Sequence, residues 1–248
     1  PIIATLSACL ILKLTDDKIV NGLFLLETVL DSLSTTMILD VFLSILEFIM
    51  LKVILVGVIL FCSTLTQAKS IIVLGDSISA SYGFEAQYGW VNLLAKQLSV
   101  SHPEYKVYNA SISGDTSAGG LARLPQILTR YQPEIVLLEL GANDGLRGMS
   151  LTSMQQNLSA IITQAKTSGA KVLLLSMRIP SNYGKRYTDM FYNSYTKLAD
   201  KNNVTVVPFI LQGVALDKFY LQADGLHPNV KAQTIIADHI SPYVLPLL

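Results

Sequence analysis

Four short blocks hold the residues of this chain that can do chemistry. GDSIS contains Ser77, ISGDTS contains Gly114, GAND contains Asn143, and DGLHPN contains Asp224 and His227. A serine hydroxyl is a poor nucleophile until a base takes its proton. The base is usually a histidine whose second ring nitrogen is held by a carboxylate. Of the three histidines, His102 precedes Pro103 in a polar stretch and His239 follows Asp238, so both read as surface residues. His227 differs, because it lies three residues after Asp224. In a tight turn that spacing lets both side chains lie on one side, so that Asp224 can accept from one imidazole nitrogen while the other faces Ser77; taken alone, the spacing is a weak signal. Pro228 then reads as the first residue of a closing helix.

Acyl transfer also needs donors for a tetrahedral oxyanion. Gly114 can offer a backbone N–H with no side chain in the way. Asn143 can offer its side-chain amide. Singly, each block reads equally well as a loop: Ser77 as a loop serine, Gly114 and Asn143 as turn residues. Jointly they require a scaffold that brings four distant loops to one rim.

The elements around the blocks describe such a scaffold. Apolar runs predict strands over Ile71–Gly75, Tyr105–Ala110, Ile135–Gly141, Lys171–Met177 and Val204–Val207. Amphipathic stretches predict helices over Trp90–Leu98, Leu121–Tyr131, Met154–Thr167, Phe191–Lys201 and Ala232–Tyr243. Alternating strands and helices imply a parallel sheet covered on both faces, a three-layer α/β/α domain over residues 69–248. Sites in such sheets lie beyond the carboxyl ends of the strands, where the first three blocks fall.

Composition limits the function classes. The 248 residues carry 18 basic and 18 acidic side chains, with no basic footprint for nucleic acid. Beyond residue 68 the balance is 15 to 12, too weak to argue for an anionic partner. Both cysteines, Cys9 and Cys62, precede residue 69. A chain starting there has no thiol nucleophile, no disulfide and no cysteine-based metal site. Met50-Leu51-Lys52, an apolar run of about a dozen residues and Thr66-Gln67-Ala68 have the order of a secretory signal cleaved near Ala68. That predicts a periplasmic or secreted chain with no stable membrane span after cleavage. Phe61 before Cys62 argues against a lipoprotein. Residues 1–49 are apolar and carry no chemical motif; they read as an upstream stretch or as a membrane segment.

The blocks GDSIS, ISGDTS, GAND and DGLHPN, in this order, resemble the SGNH (GDSL) hydrolase family over nearly all of 69–248. The resemblance implies a flavodoxin-like sandwich with five parallel strands in the order 2-1-3-4-5. It implies Ser77 as nucleophile, His227 as base and Asp224 as its orienting carboxylate. Gly114, Asn143 and the backbone N–H of Ser77 become the oxyanion donors, and Asp76 a structural residue of the nucleophile loop. It also implies a serine esterase or thioesterase that uses an acyl-enzyme and neither cofactor nor metal. Its substrates would be small-molecule acyl esters or thioesters, such as aryl esters, lysophospholipids and acyl-CoA. A monomer is expected. Leu146, Met149, Met177, Ile179 and Pro180 are candidates for an acyl groove, or for plain core. The polar run Ser181–Tyr187 keeps a second activity of the family open, deacetylation of carbohydrate. Ala142 stands where close relatives often have a second glycine, which predicts a stiffer loop before Asn143. A phosphate-binding loop at Gly75–Gly83 is excluded, because neither GxGxxG nor GxxxxGK[ST] is present. The GxSxG elbow of α/β-hydrolases is missing around Ser77 as well.

Overall fold

The computed structural model describes residues 21–28, 35–61 and 68–248. The chain divides into two compact units, Pro1–Thr66 and Gln67–Leu248. In the first, one helix spans Thr35–Phe61 and passes through Met50 without a break. Asp40, Glu47 and Lys52 interrupt its apolar sequence, and among the described residues no helix is long and apolar enough to cross a membrane. The expected signal boundary at Thr66 and Gln67, with Cys62, lies outside the described residues.

The second unit is a five-stranded sheet in the order β2-β1-β3-β4-β5. Its strands are β1 Lys69–Gly75, β2 Tyr105–Asn109, β3 Ile135–Glu139, β4 Lys171–Leu175 and β5 Thr205–Val207. All pairings are parallel, and β1 meets β3 in the register Ile71↔Ile135 through Gly75↔Glu139. Ile71–Leu74 and Ile135–Leu138 are fully buried, as strands covered on both faces must be. Apolar side chains at every position supply that burial, each worth about 1.5–3 kcal/mol against exposure.

Helices α1 Trp90–Ser101, α2 Ser117–Tyr131, α3 Ala142–Leu146, α4 Leu151–Thr167, α5 Lys185–Asn202 and α6 Gln233–Val244 cover the sheet. α1 packs on α6, while α2, α4 and α5 pack in a row. Several helices begin earlier than their apolar periodicity predicts, because caps and tertiary contacts set their starts. Thr116 caps α2 by accepting from the Gly119 N–H. Gly119-Gly120, which reads as a breaker, lies inside the helix. At Gly120 a Cβ would come 2.2 Å from Leu140 Cδ1, so glycine is what lets α2 approach the exit of β3. α5 begins six residues before the predicted Phe191 and takes in the second half of the polar run. Pro228 does not open the last helix. Asn229 accepts from the Lys231 N–H at 2.9 Å and caps a short turn, Val230–Ala232, that leads into α6. Ala142 opens α3 rather than stiffening a loop.

Candidate active site

β1 ends at Gly75 and the chain turns at once. Asp76 drives the turn, its Oδ1 accepting from the Ile78 N–H at 3.0 Å. The Asp76 carbonyl accepts from Ala80 and the Ser77 carbonyl from Tyr82, winding residues 76–82 into a tight coil. Ser77 sits half-buried on it. Its Oγ lies 2.9 Å from His227 Nε2, across 150 residues of sequence.

The DGLHPN block is a local turn of its own. Asp224 Oδ1 accepts from the backbone N–H groups of Leu226 at 2.9 Å and His227 at 3.0 Å. Its Oδ2 is 2.6 Å from His227 Nδ1. Burial pushes the Asp224 carboxyl upward, but these hydrogen bonds and the imidazole outweigh it and hold the group down at about 2. Asp224 is therefore ionised at neutral pH and fixes the tautomer with the proton on Nδ1, leaving Nε2 free to accept from Ser77. The Tyr82 ring packs on the imidazole with centroids 4.6 Å apart. Gln222 bridges both loops, donating to Tyr82 O at 2.7 Å and Pro228 O at 3.0 Å.

The other two blocks meet the Ser77 turn from the side. The Asn143 amide, in the first turn of α3, donates to Asp115 O at 2.9 Å and to Asp76 Oδ2 at 3.2 Å. Gly114 has φ +79°, a backbone that favours glycine, and its carbonyl accepts from Arg147 Nη2 at 2.9 Å. Arg123 fastens these loops, pairing with Asp115 at 2.8 Å and donating to the Ala110 and Gly75 carbonyls. Asp144 binds the Ser117 N–H and hydroxyl, which ties the GAND block to the start of α2.

Ser77, His227 and Asp224 are thus joined directly, whereas Asn143 and Gly114 reach the nucleophile turn through Asp76 and Asp115. His102 lies 3.7 Å from Glu104 and His239 3.2 Å from the Pro208 carbonyl, both away from the four blocks. Of the groove candidates, Met177 and Ile179 are core, at 2% and 6% exposure, while Met149 is 43% exposed. Among the described residues no group of three or more His, Cys, Asp or Glu is placed to hold a metal ion.

Sequence reasoning passed over Glu139 and Tyr82. Glu139 is 0% exposed beneath the Ser77 turn, and burial first, then the adjacent Asp76 carboxylate, pushes its carboxyl well above the ordinary range. Asp76 is raised to about 6, burial again being the main cause. The signal was visible: an acid inside the apolar run IVLLELG.

Residues 73–235 match the model of the GDSL-like lipase/acylhydrolase family. The chain is similar to "Esterase TesA" of Pseudomonas aeruginosa, 48% identical over 181 residues that make up 73% of this chain and 90% of that protein. It is also similar to "Thioesterase 1/protease 1/lysophospholipase L1" of Escherichia coli (strain K12), 44% identical over 73% of this chain and 86% of that one. A crystal structure of TesA superposes with a TM-score of 0.71 at 48% identity, over 73% of this chain and 100% of the other. The TesA chain, matched over its whole length by 73% of this chain, is folded without a counterpart to the rest. With the five-strand order, the family match over most of the sheet and relatives named for ester hydrolysis, the conclusion is that this chain belongs to the GDSL (SGNH) hydrolases and hydrolyses esters.

Proposed function

We propose that the chain cleaves acyl esters and thioesters through an acyl-enzyme on Ser77. The observation that carries this reading is the unbroken line from Asp224 through His227 to Ser77, at 2.6 and 2.9 Å. His227 Nε2 takes the Ser77 proton as Oγ attacks the acyl carbon. The carbonyl oxygen becomes an oxyanion held by the N–H groups of Ser77 and Gly114 and by the Asn143 amide. To donate there, Asn143 gives up its longer bond, the one to Asp76 at 3.2 Å. The imidazolium, stabilised by ionised Asp224, returns its proton to the leaving alcohol or thiol. Water then repeats the steps and frees the acid. No cofactor or metal takes part.

The substrate classes proposed are aryl esters, lysophospholipids and acyl-CoA. The name of the Escherichia coli relative supports thioester and lysophospholipid cleavage. Carbohydrate deacetylation is the weaker reading. It wants an open polar cleft, and the tyrosines of the 181–187 run instead close onto the end of α3: Tyr183 donates to Leu146 O at 2.9 Å and Tyr187 to Gly145 O at 3.1 Å. We also propose export to the periplasm or beyond, supported by the signal-like order of residues 50–68, and action as a monomer.

The test is hydrolysis of p-nitrophenyl esters from acetyl to palmitoyl, beside palmitoyl-CoA, by the 69–248 chain and its Ser77→Ala variant. Turnover of medium or long chains that vanishes in the variant is expected. Activity retained by Ser77→Ala overturns the mechanism, and activity confined to acetyl esters transfers the assignment to the carbohydrate reading.

A further inference from the structure

The proposed mechanism leaves one buried acid without a task. Glu139 is the last residue of β3, and its Oε2 accepts from Ser79 Oγ at 2.7 Å and from the Asp76 N–H at 3.2 Å. Those donors bracket Ser77, one residue before it and two after. Oε1 is buried with no hydrogen-bond partner. Gly75 stands opposite Glu139 in the register, and a Cβ there would come 2.6 Å from Oε2. The acid fits only because its neighbour has no side chain. Four residues beyond Glu139, the same strand exit delivers Asn143.

We propose that Glu139 is a positioning residue for ester hydrolysis: its buried carboxyl clamps the turn carrying Ser77 to the strand end that delivers Asn143, so that nucleophile and oxyanion donor keep one spacing. This rests on the roles assigned above to Ser77 and Asn143. A hydroxyl and an amide aimed at one oxygen need an acceptor, and the buried Glu139 carboxyl supplies it. The titratable groups around it are Asp76 from the nucleophile turn and the Tyr195 hydroxyl from α5, with Asp115, Asp144 and His227 acting on those two. Positive charge reaches this set from His227 and from Arg123, which pairs with Asp115 at 2.8 Å. Glutamine preserves the acceptor oxygen in the same shape. Leucine preserves most of the volume and strands both donors, and a buried donor left without an acceptor is costly.

The experiment compares Glu139→Gln, Glu139→Leu and Ser77→Ala in the 69–248 chain with p-nitrophenyl butyrate, reading kcat, KM, the pH profile of kcat and Tm. Glu139→Gln is expected to keep kcat within about threefold of the parent, with an unchanged pH profile, because the amide still accepts both bonds. Glu139→Leu is expected to lose about 10- to 100-fold in kcat while KM holds within about twofold, since binding does not use the clamp. Unchanged kcat in Glu139→Leu, or an equal loss in both variants, overturns the proposal. If Glu139→Leu does not fold, Ser79→Ala removes one of the two donors; a fall of about threefold or more in its kcat is expected, and an unchanged kcat is the overturning result. An active Ser77→Ala refutes the nucleophile assignment instead, so the two failures are told apart.

Discussion

Replacing Asp224 by asparagine tests the electrostatics of the site with least disturbance of its shape. The retained Oδ1 still accepts from Leu226 and His227, so the turn survives. What changes is the 2.6 Å contact to Nδ1. An amide N–H there faces an N–H on the ring, and the imidazole relieves the clash by moving its proton to Nε2. That nitrogen then points a hydrogen at Ser77 and cannot act as base. A charge-assisted bond of this kind is worth about 1.5–3 kcal/mol, and the wrong tautomer adds to the loss. The Asp224 side chain is 41% exposed, so water compensates for part of the lost charge. The expected fall in kcat is therefore roughly 10²- to 10³-fold, below the ~10⁴ typical of the same exchange in a buried triad. The assay is hydrolysis of p-nitrophenyl butyrate across pH 5–9, with Tm measured alongside. Tm should shift little. A variant with kcat within about fivefold of the parent refutes the reasoning, because the carboxylate would then set neither tautomer nor charge.

Asn143→Ala removes a donor that acts only once the oxyanion has formed; kcat should fall by about 10²- to 10³-fold with KM nearly constant, and a loss seen mainly in KM contradicts the assignment. The buried pair below the nucleophile makes a stability prediction. Asp76 is raised from 3.8 to about 6, so the folded chain holds more protons than the unfolded one across that window, and stability falls as pH rises through it. Urea unfolding should give the parent about 2 kcal/mol more stability at pH 4.5 than at pH 7.5, relative to Asp76→Asn. A parent-minus-variant difference that does not change with pH rules this out.

The layered fold was legible because its central strands β1, β3 and β4 are nearly pure apolar runs, and a parallel sheet covered on both faces buries such runs. Strand order was not legible from periodicity and came from the resemblance to a family. Helix starts were misread where packing outvoted propensity. Gly119-Gly120 breaks a helix in isolation, yet Leu140 needs the space that Gly120 leaves. The lysine- and arginine-rich start of α5 has no apolar face to announce it. Ser77, His227 and Asp224 could be read as a set because their chemistry is distinctive at short range. Glu139 left one local signal, an acid inside the apolar run IVLLELG, but the role proposed for it depends on the register Gly75↔Glu139, which no local pattern encodes. Two of the five groove candidates are core for a related reason: Met177 and Ile179 follow a strand end, but the chain returns inward to bury them, whereas Met149 stays exposed.

The contact between Ser77 and His227 joins residues 150 apart in sequence, and Gln233, which opens α6, accepts from the Trp90 N–H at the start of α1. The base is fixed in place by a helix made after it, packed on a helix made long before. A growing chain thus exposes its nucleophile without the group that activates it. At about 5–20 residues per second, synthesis of the intervening segment takes roughly 10–30 s. Through that interval the emerging polypeptide is chemically silent toward the esters around it. In the mechanism proposed, hydrolysis therefore waits until the C-terminal segment has brought His227 to Ser77.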